Sequence, residues 1–583
     1  MSYQKQIEEA FSKFGFTPRD NQVNHVSRIC EAFLEEEAKN VVLSAPTGTG
    51  KSIIGTVAAE VIHSIKNPAT RENASFLLSA TNVLLDQYHQ TFAEKAGDNT
   101  FLLLKGAANY ECSALSTDDE PQTAENCAIT LFRKNGMQNF IDTYCNSCEY
   151  AKARALKATS RHLITNYAFY FIDRMYAQAP LPRRTVAVFD EAHLLNDLFT
   201  DHNAIYISEK RLAQCADEVN DNLSLGNTDI FRDLKVMRDA LIKGQITEQN
   251  YSTWLKQLLE VYNLISETAK SNADRNIRNA SKYLKLQKLA KKYYNFGCKI
   301  DDLFTFQYPH VFEYKKKDPS ARQSENEIHV KPIFIGDMFE VLDNAEHNLL
   351  MSATISEQFA KRTMTLPGKT KHIRLDPQFL PENKKVIFYK PQSLNYRSMQ
   401  ETETVTKLSR TVTEIVKHHT EKEERGIILT PSFVVTETVC ASLRKEKGNF
   451  KIFEHVRGEK LATILADFKQ HSKGPAVLVT PSGFEGIDLP GDLSRFQVLV
   501  KMPYASLGDK RIQTILDNFP DIYQLQALMK VVQGAGRSVR SQEDWATTYI
   551  LDSAVQRVWT AKTNEWSNEF QTLFKSSLKE MTL

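Results

Sequence analysis

At 583 residues, with 42% hydrophobic and 25% charged residues, the chain has the make-up of an ordinary globular protein. It is too long for a single core, and the usual prior of about 150 residues per domain suggests about four units. A net charge of +2 gives little global attraction for a polyanion, so any nucleic-acid site has to be a local groove. With no run of about 18 apolar residues and no basic-then-apolar leader at Met1, the expectation is a cytoplasmic or, in a eukaryote, nuclear protein, neither secreted nor in a membrane.

Residues 1 to 40 read as two helices. Ile7, Ala10, Phe11 and Phe14 recur at helical spacing, a turn follows at Gly15 to Pro18, and Val23, Val26, Ile29 and Phe33 continue the pattern. Phe16, Arg19 and Gln22 lie just upstream of the next motif, where a glutamine amide can read an adenine edge or be plain surface. The apolar run Val41, Val42, Leu43 then leads into S-A-P-T-G-T-G-K-S, Ser44 to Ser52. This matches the phosphate-binding loop G-x-x-x-x-G-K-[ST] with Ala45 in the place of the first glycine. Thr47, Gly48, Thr49 and Gly50 supply backbone N–H groups for phosphate, Lys51 reaches the β and γ phosphates of ATP, and the Ser52 hydroxyl takes Mg2+.

A strand at Phe76 to Ser79 runs into Ala80, Thr81 and Asn82, which either touch a nucleic-acid backbone or cap the helix from Val83 to Phe92. Between Phe101 and Tyr150 the periodicity weakens, and Cys112, Cys127, Cys145 and Cys148 fall in the pattern C-x14-C-x17-C-x2-C. Four thiolates suit zinc or a [4Fe-4S] cluster, and the single C-x2-C pair by itself leans toward zinc. Cys30, Cys215, Cys298 and Cys440 are scattered and read as small core residues. Strands at Leu163 to Thr165 and Val186 to Phe189 follow, the second ending in Asp190, Glu191, Ala192, His193. A carboxylate at the carboxyl end of a buried strand is where an α/β sheet binds ligands. Asp190 is therefore expected to hold Mg2+ through water, Glu191 to deprotonate the attacking water and His193 to relay the nucleotide state.

From Leu195 to about Asn344 the pattern is helical, with a polar break from Lys315 to Glu327. A strand then ends in Ser352, Ala353, Thr354, placed to sense the γ-phosphate, and Lys361 to Asn383, with three prolines, reads as a linker. A second series of strands at Val386 to Tyr389, Gly426 to Thr430, Ala476 to Thr480 and Val498 to Lys501 predicts another parallel sheet without a phosphate loop. In it, Asp488 of G-F-E-G-I-D can bond a ribose hydroxyl. Arg537 and Arg540 of Q-G-A-G-R-S-V-R, a helical turn apart after Gln533, can reach across a cleft as arginine fingers.

Read in order, S-A-P-T-G-T-G-K-S, D-E-A-H, M-S-A-T-I, G-F-E-G-I-D-L-P-G and Q-G-A-G-R-S-V-R resemble superfamily 2 helicases of the XPD/DinG type. The resemblance covers nearly the whole chain. It implies an α/β fold of two RecA-like parallel-sheet motor domains, with an iron-sulfur insertion and a helical arch inserted in the first. The expected division is 1–100, 151–195 and 345–375 for the first motor domain, 101–150 for the iron-sulfur domain, 196–344 for the arch and 376–583 for the second motor domain. The resemblance turns the zinc preference to a [4Fe-4S] cluster on Cys112, Cys127, Cys145 and Cys148. It implies MgATP hydrolysis by Lys51, Ser52, Asp190 and Glu191, completed by Gln533, Arg537 and Arg540. The implied activity is 5' to 3' translocation on single-stranded DNA with unwinding of duplex or forked DNA, by a monomer on the DNA. The chain departs from the family at Asp376, Pro377, Gln378, Phe379, where a Ser-Pro-Phe turn is usual, and at Pro503, Tyr504, where Pro-Phe is usual. Other classes consistent with the residues are a nucleic-acid-binding ATPase scaffold that remodels complexes without processive unwinding, and a redox-responsive binding module sensing through its cluster.

Overall fold

A computed structural model describes residues 3–561 apart from 20, 47, 97–99, 113–115, 117–121, 128, 130–132, 134, 137, 146–147, 178–179, 224–227, 319–323, 376–382, 396, 447, 472–473, 483–486, 488, 536–537 and 540–543. In chain order the strands are β1 (Asn40–Ser44), β2 (Ser75–Ser79), β3 (Phe101–Leu103), β4 (His162–Asn166), β5 (Arg184–Asp190), β6 (Ile205–Ser208), β7 (His310–Lys315) and β8 (Glu327–Pro332). They continue with β9 (Ala345–Ser352), β10 (Thr370–Arg374), β11 (Lys384–Gln392), β12 (Gly426–Leu429), β13 (Lys451–Glu454), β14 (Ala476–Thr480), β15 (Phe496–Leu499) and β16 (Ala546–Asp552). Seven of them form one parallel sheet in the order β10-β1-β9-β5-β2-β4-β3, and six form a second in the order β11-β16-β15-β12-β14-β13. The architecture is thus two RecA-like parallel-sheet α/β units.

Successive side chains of these strands enter opposite cores, which is why the strands read as unbroken apolar runs. Along β5, Val186 and Val188 face a core built with Phe11, Val26, Ile29, Phe33, Val57 and Phe92 from four helices, α1 (Gln4–Lys13), α2 (Gln22–Leu34), α3 (Lys51–Lys66) and α4 (Asn82–Ala96). Ala187 and Phe189 face the other core, with Phe76, Tyr167, Tyr170 and Phe171. That second core is continuous through the helical region into the second sheet, where it includes Ile427, Leu429 and Leu478. Because β1 lies between β9 and β10, and β5 between β9 and β2, the carboxyl ends of β1, β5 and β9 are neighbours. Ser44 is in register with Ser352, and Asp190 with Met351.

Two expectations change. The stretch 196–344 is not all helical: beside the long helices Tyr251–Arg275 and Ala280–Phe306 it holds the antiparallel sheet β6-β8-β7. Its alternation of Ile205 with Ile207 and Ile328 with Val330 is too short to stand out against helical periodicity. The expected linker from Lys361 to Asn383 contains β10, which pairs with β1 from Asn40↔Thr370 to Ser44↔Arg374. As an edge strand it buries only Ile373 well, so its mostly polar sequence carries no apolar signal. The sequence reading also lacks β3 and β13, which lie at sheet edges, and β16, which inserts between β11 and β15. Of the scattered cysteines, Cys30, Cys215 and Cys440 are buried and Cys298 is half-buried. Among the described residues, no helix is long and apolar enough to cross a membrane.

Candidate nucleotide site between the two sheets

The phosphate loop leaves β1 at Ser44. Ala45 is fully buried, its N–H bonded to the Ser352 carbonyl at 2.9 Å, and its backbone does not take the positive φ that would demand glycine. A methyl is therefore admitted where the motif usually has Gly. Gly48 (φ 85°) and Gly50 (φ 78°) do take the left-handed conformation, and Gly50 caps α3. A Cβ on Gly50 would stand 2.6 Å from Gln22 Nε2. Gln22 is itself buried and braces the loop: its Nε2 donates to the Thr49 carbonyl at 2.9 Å and its Oε1 accepts from the Arg19 N–H at 2.9 Å. The Arg19 side chain is exposed, and Phe16 packs edge-on against Phe92. Thr49 Oγ1 donates to the Pro46 carbonyl, closing the loop on itself.

At the end of β5, Ser52 Oγ donates to Asp190 Oδ2 at 2.9 Å, and the Glu191 N–H donates to Asp190 Oδ1 at 3.0 Å. The Tyr167 hydroxyl donates to the Asp190 carbonyl at 2.7 Å. Glu191 has φ 54°, an unfavourable conformation for a side chain of its size, and it aims the carboxylate between Lys51 Nζ at 3.8 Å and His193 Nδ1 at 3.3 Å. Burial, and then the charge of Glu191, push the Asp190 carboxyl up to about 6, against the pull of Lys51 and Ser52. A buried carboxylate, Asp190, beside the half-buried Glu191 and the Ser52 hydroxyl suits Mg2+, a hard cation that takes one or two carboxylates and fills its remaining positions with water and phosphate.

The contact across the two sheets completes the arrangement. His193 Nδ1 is 2.9 Å from Ser352 Oγ, which also accepts from the Thr354 N–H at 3.1 Å. From the helix Pro520–Ala535 of the second unit, Gln533 Nε2 donates to His193 Nε2 at 2.5 Å and to Thr354 Oγ1 at 3.3 Å. An amide N–H can only donate, so His193 Nε2 accepts and the ring proton sits on Nδ1, toward Ser352 and Glu191. Nearby, Arg511 Nη2 of the second unit reaches Asp197 Oδ1 at 2.9 Å, and Lys331 Nζ reaches Asp509 Oδ2 at 2.6 Å. The structure thus gathers Lys51, Ser52, Asp190, Glu191, His193 and Gln533 in one cleft. Thr47, Asp488, Arg537 and Arg540 lie outside the described residues, as do Asp376, Pro377, Gln378 and Phe379.

The four clustered cysteines come near one another. Burial, and then the charges of Cys127, Cys112 and Cys148, raise the pKa of the Cys145 thiol, and the Cys148 N–H bonds the Cys145 carbonyl in a tight turn at 3.2 Å. Yet no three acidic, histidine or cysteine side chains among the described residues are grouped closely enough to hold a metal ion. Sequence reasoning missed Tyr167, whose apolar surroundings made it look like any core aromatic, and gave Gln22 a role at adenine without its contact to the loop.

Known proteins resemble the chain in both halves. A family model described as the type III restriction enzyme res subunit matches residues 15–226, and one described as a helicase C-terminal domain matches residues 415–570. The ATP-dependent DNA helicase YoaA of Haemophilus influenzae is 22% identical over 637 residues, covering 95% of each chain. The ATP-dependent DNA helicase DinG of Photobacterium profundum is 22% identical over 483 residues, covering 70% of this chain and 68% of its own. A solved structure titled XPD helicase superposes with a TM-score of 0.58 at 15% identity, over 93% of this chain and 98% of that one, a likeness of fold. Another solved structure, titled XPD apo, gives 0.55 at 14% identity, over 96% of this chain and 99% of that one. Two parallel-sheet units, a phosphate loop facing D-E-A-H, and relatives in both halves together support a place for the chain among the XPD/DinG-like superfamily 2 helicases.

Proposed function

We propose that the chain is an ATP-dependent DNA helicase that moves 5' to 3' along single-stranded DNA and opens duplex or forked DNA, hydrolysing MgATP in each step. The observation that carries this reading is the unbroken path from Ser52 through Asp190, Glu191 and His193 to Gln533 of the other sheet. A site confined to one sheet could hydrolyse a nucleotide, but only one shared by two units can turn hydrolysis into relative motion. In this reading Lys51 leaves Glu191 to pair with the β and γ phosphates, and Ser52 and Asp190 would hold Mg2+, which would supply charge neutralisation at the phosphates. Glu191 takes the proton of the attacking water. His193, with Ser352 and Thr354, passes the loss of the γ-phosphate to Gln533, while Arg537 and Arg540 stabilise the developing charge and Asp488 bonds the ribose.

The reading assigns 1–100, 151–195 and 345–375 to the first motor domain, 101–150 to the cysteine domain, 196–344 to the arch and 376–583 to the second motor domain, acting as a monomer on DNA. A [4Fe-4S] cluster on the four cysteines belongs to the family resemblance, and no step above passes through one. The test is ATP hydrolysis stimulated by single-stranded DNA, which Lys51→Ala abolishes, together with strand displacement that favours a 5'-tailed over a 3'-tailed duplex. An intact protein that no single strand stimulates overturns the proposal. Stimulation without displacement leaves the scaffold that remodels complexes.

A further inference from the structure

The two parallel-sheet units also meet away from the nucleotide, around the helix Lys510–Asn518 of the second. The N-cap of that helix, Asp509, accepts from the Arg511 N–H at 2.9 Å and from Lys331 Nζ of β8 at 2.6 Å. Arg511, 6% exposed, spans two other segments: Nε donates to the Ile333 carbonyl at 3.0 Å and Nη2 to Asp197 Oδ1 at 2.9 Å. Asp197 lies in the first turn of the helix Leu195–Asn203, into which D-E-A-H leads. Its neighbour Asn196 is fully buried and accepts from the Ile335 N–H at 2.9 Å, tying that helix to the same strand end. Phe334 packs edge-on against Phe519, with ring centroids 5.1 Å apart. The helix after D-E-A-H, the end of β8 and a helix of the second unit therefore share one joint.

This joint and the nucleotide cleft differ in what it takes to part them. Separating Gln533 from His193 and Thr354 exchanges two neutral hydrogen bonds for bonds to water, a small net change. Separating the joint breaks the bonds of Lys331 to Asp509 and of Arg511 to Asp197 and Ile333 together with an aromatic pair. Bonds with an ionised partner are about twice as strong as neutral ones, so under one load the cleft yields first. We infer that the joint is the hinge of the motor, with Arg511 its positioning residue: it stays closed through the nucleotide cycle while the Gln533 contact opens and closes. The inference rests on the proposed function, since it presumes that nucleotide moves one unit against the other. Lys331 and Ile333 fix the end of β8 to the second unit, and Ile335 fixes it to the helix after D-E-A-H. The region 196–344 is thereby held at the axis of the motion, tied to both sides of the cleft.

The experiment follows amide hydrogen exchange of the full wild-type chain without nucleotide, with ADP, and with ADP-beryllium fluoride plus oligothymidylate. Amides of 333–335 and 510–518 are expected to keep one exchange rate within about twofold in all three states, while those around Thr354 and Gln533 change by about tenfold or more. Exchange at 510–518 that changes as much as at Gln533 overturns the inference. Two variants read the same joint by function. Arg511→Lys keeps the charge but can serve only one of the two acceptors, and Lys331→Met removes the ion pair while Asp509 goes on capping its helix. Both are expected to leave ATP hydrolysis without DNA within about twofold of wild type and to lower strand displacement per ATP hydrolysed by about tenfold, the effect of one charge-assisted hydrogen bond. A merely structural role would lower hydrolysis and displacement in parallel, and that result overturns the hinge, as does displacement per ATP within twofold of wild type in both variants. A wild-type chain whose exchange no nucleotide alters overturns the proposed function, and the hinge with it.

Discussion

Replacing Gln533 by alanine isolates the communication between the two sheets from the binding of nucleotide. The side chain donates at 2.5 Å to His193 Nε2 and at 3.3 Å to Thr354 Oγ1, and His193 is only 7% exposed. Two hydrogen bonds are worth about 1 kcal/mol each, and leaving a buried imidazole nitrogen without a donor costs about 1 kcal/mol more. The apposed arrangement is then weakened by about 3 kcal/mol, or roughly 100-fold in its population. Lys51, Ser52 and the glycines that receive the phosphates are untouched, so the loss falls on kcat and not on nucleotide affinity. Steady-state ATP hydrolysis at saturating single-stranded DNA measures the first, and fluorescent nucleotide binding the second. Thr354→Val removes the longer contact together with a 3.4 Å contact to Ser352 Oγ, keeps the one to His193, and should cost about 1 kcal/mol, less than tenfold. A Gln533→Ala enzyme within threefold of the wild-type kcat refutes the idea that this contact transmits the nucleotide state.

Stability should also fall on mild acidification, because of one histidine. His162 on β4 is fully buried between Phe101 and Glu60, and burial lowers its pKa to about 4 although Glu60 pulls it upward. With the folded value below the unfolded value of about 6.5, the unfolded chain binds the extra proton more readily between them. Its contribution is complete above about pH 6.5 and is lost as the pH falls toward 4, by about 2 kcal/mol at pH 5. Urea melts at pH 7.5 and 5.0 check this, and His162→Gln should show a correspondingly smaller drop; an equal drop in both proteins sinks it. For the cysteines, metal content after anaerobic purification is decisive, since ligands of a structural site are drawn together by the metal itself. About four irons per chain with a broad visible absorption, lost in Cys148→Ser, is the expected result; a colourless protein with one zinc returns the spacing to its first reading.

Much of the site was legible in the chain because its chemistry is encoded locally. A strand, two glycines and Lys51-Ser52 specify a phosphate loop within a dozen residues, and a buried strand ending in Asp190 and Glu191 needs no distant partner to be recognised. The parallel sheets were likewise evident, as strands buried on both faces read as continuous apolar runs. Tertiary structure alone decided that Ala45 could stand for a glycine, since the methyl enters a core whose walls come from other segments. It alone made Thr370 to Arg374 a strand, because an edge partner of β1 is defined by backbone pairing and not by apolar side chains. It alone sent the amide of Gln22 to the Thr49 carbonyl of the loop. Periodicity tells which face of a helix is buried; what a polar tip on that face meets depends on which helix and strand pack opposite, and that is settled only when residues distant in the chain come into contact.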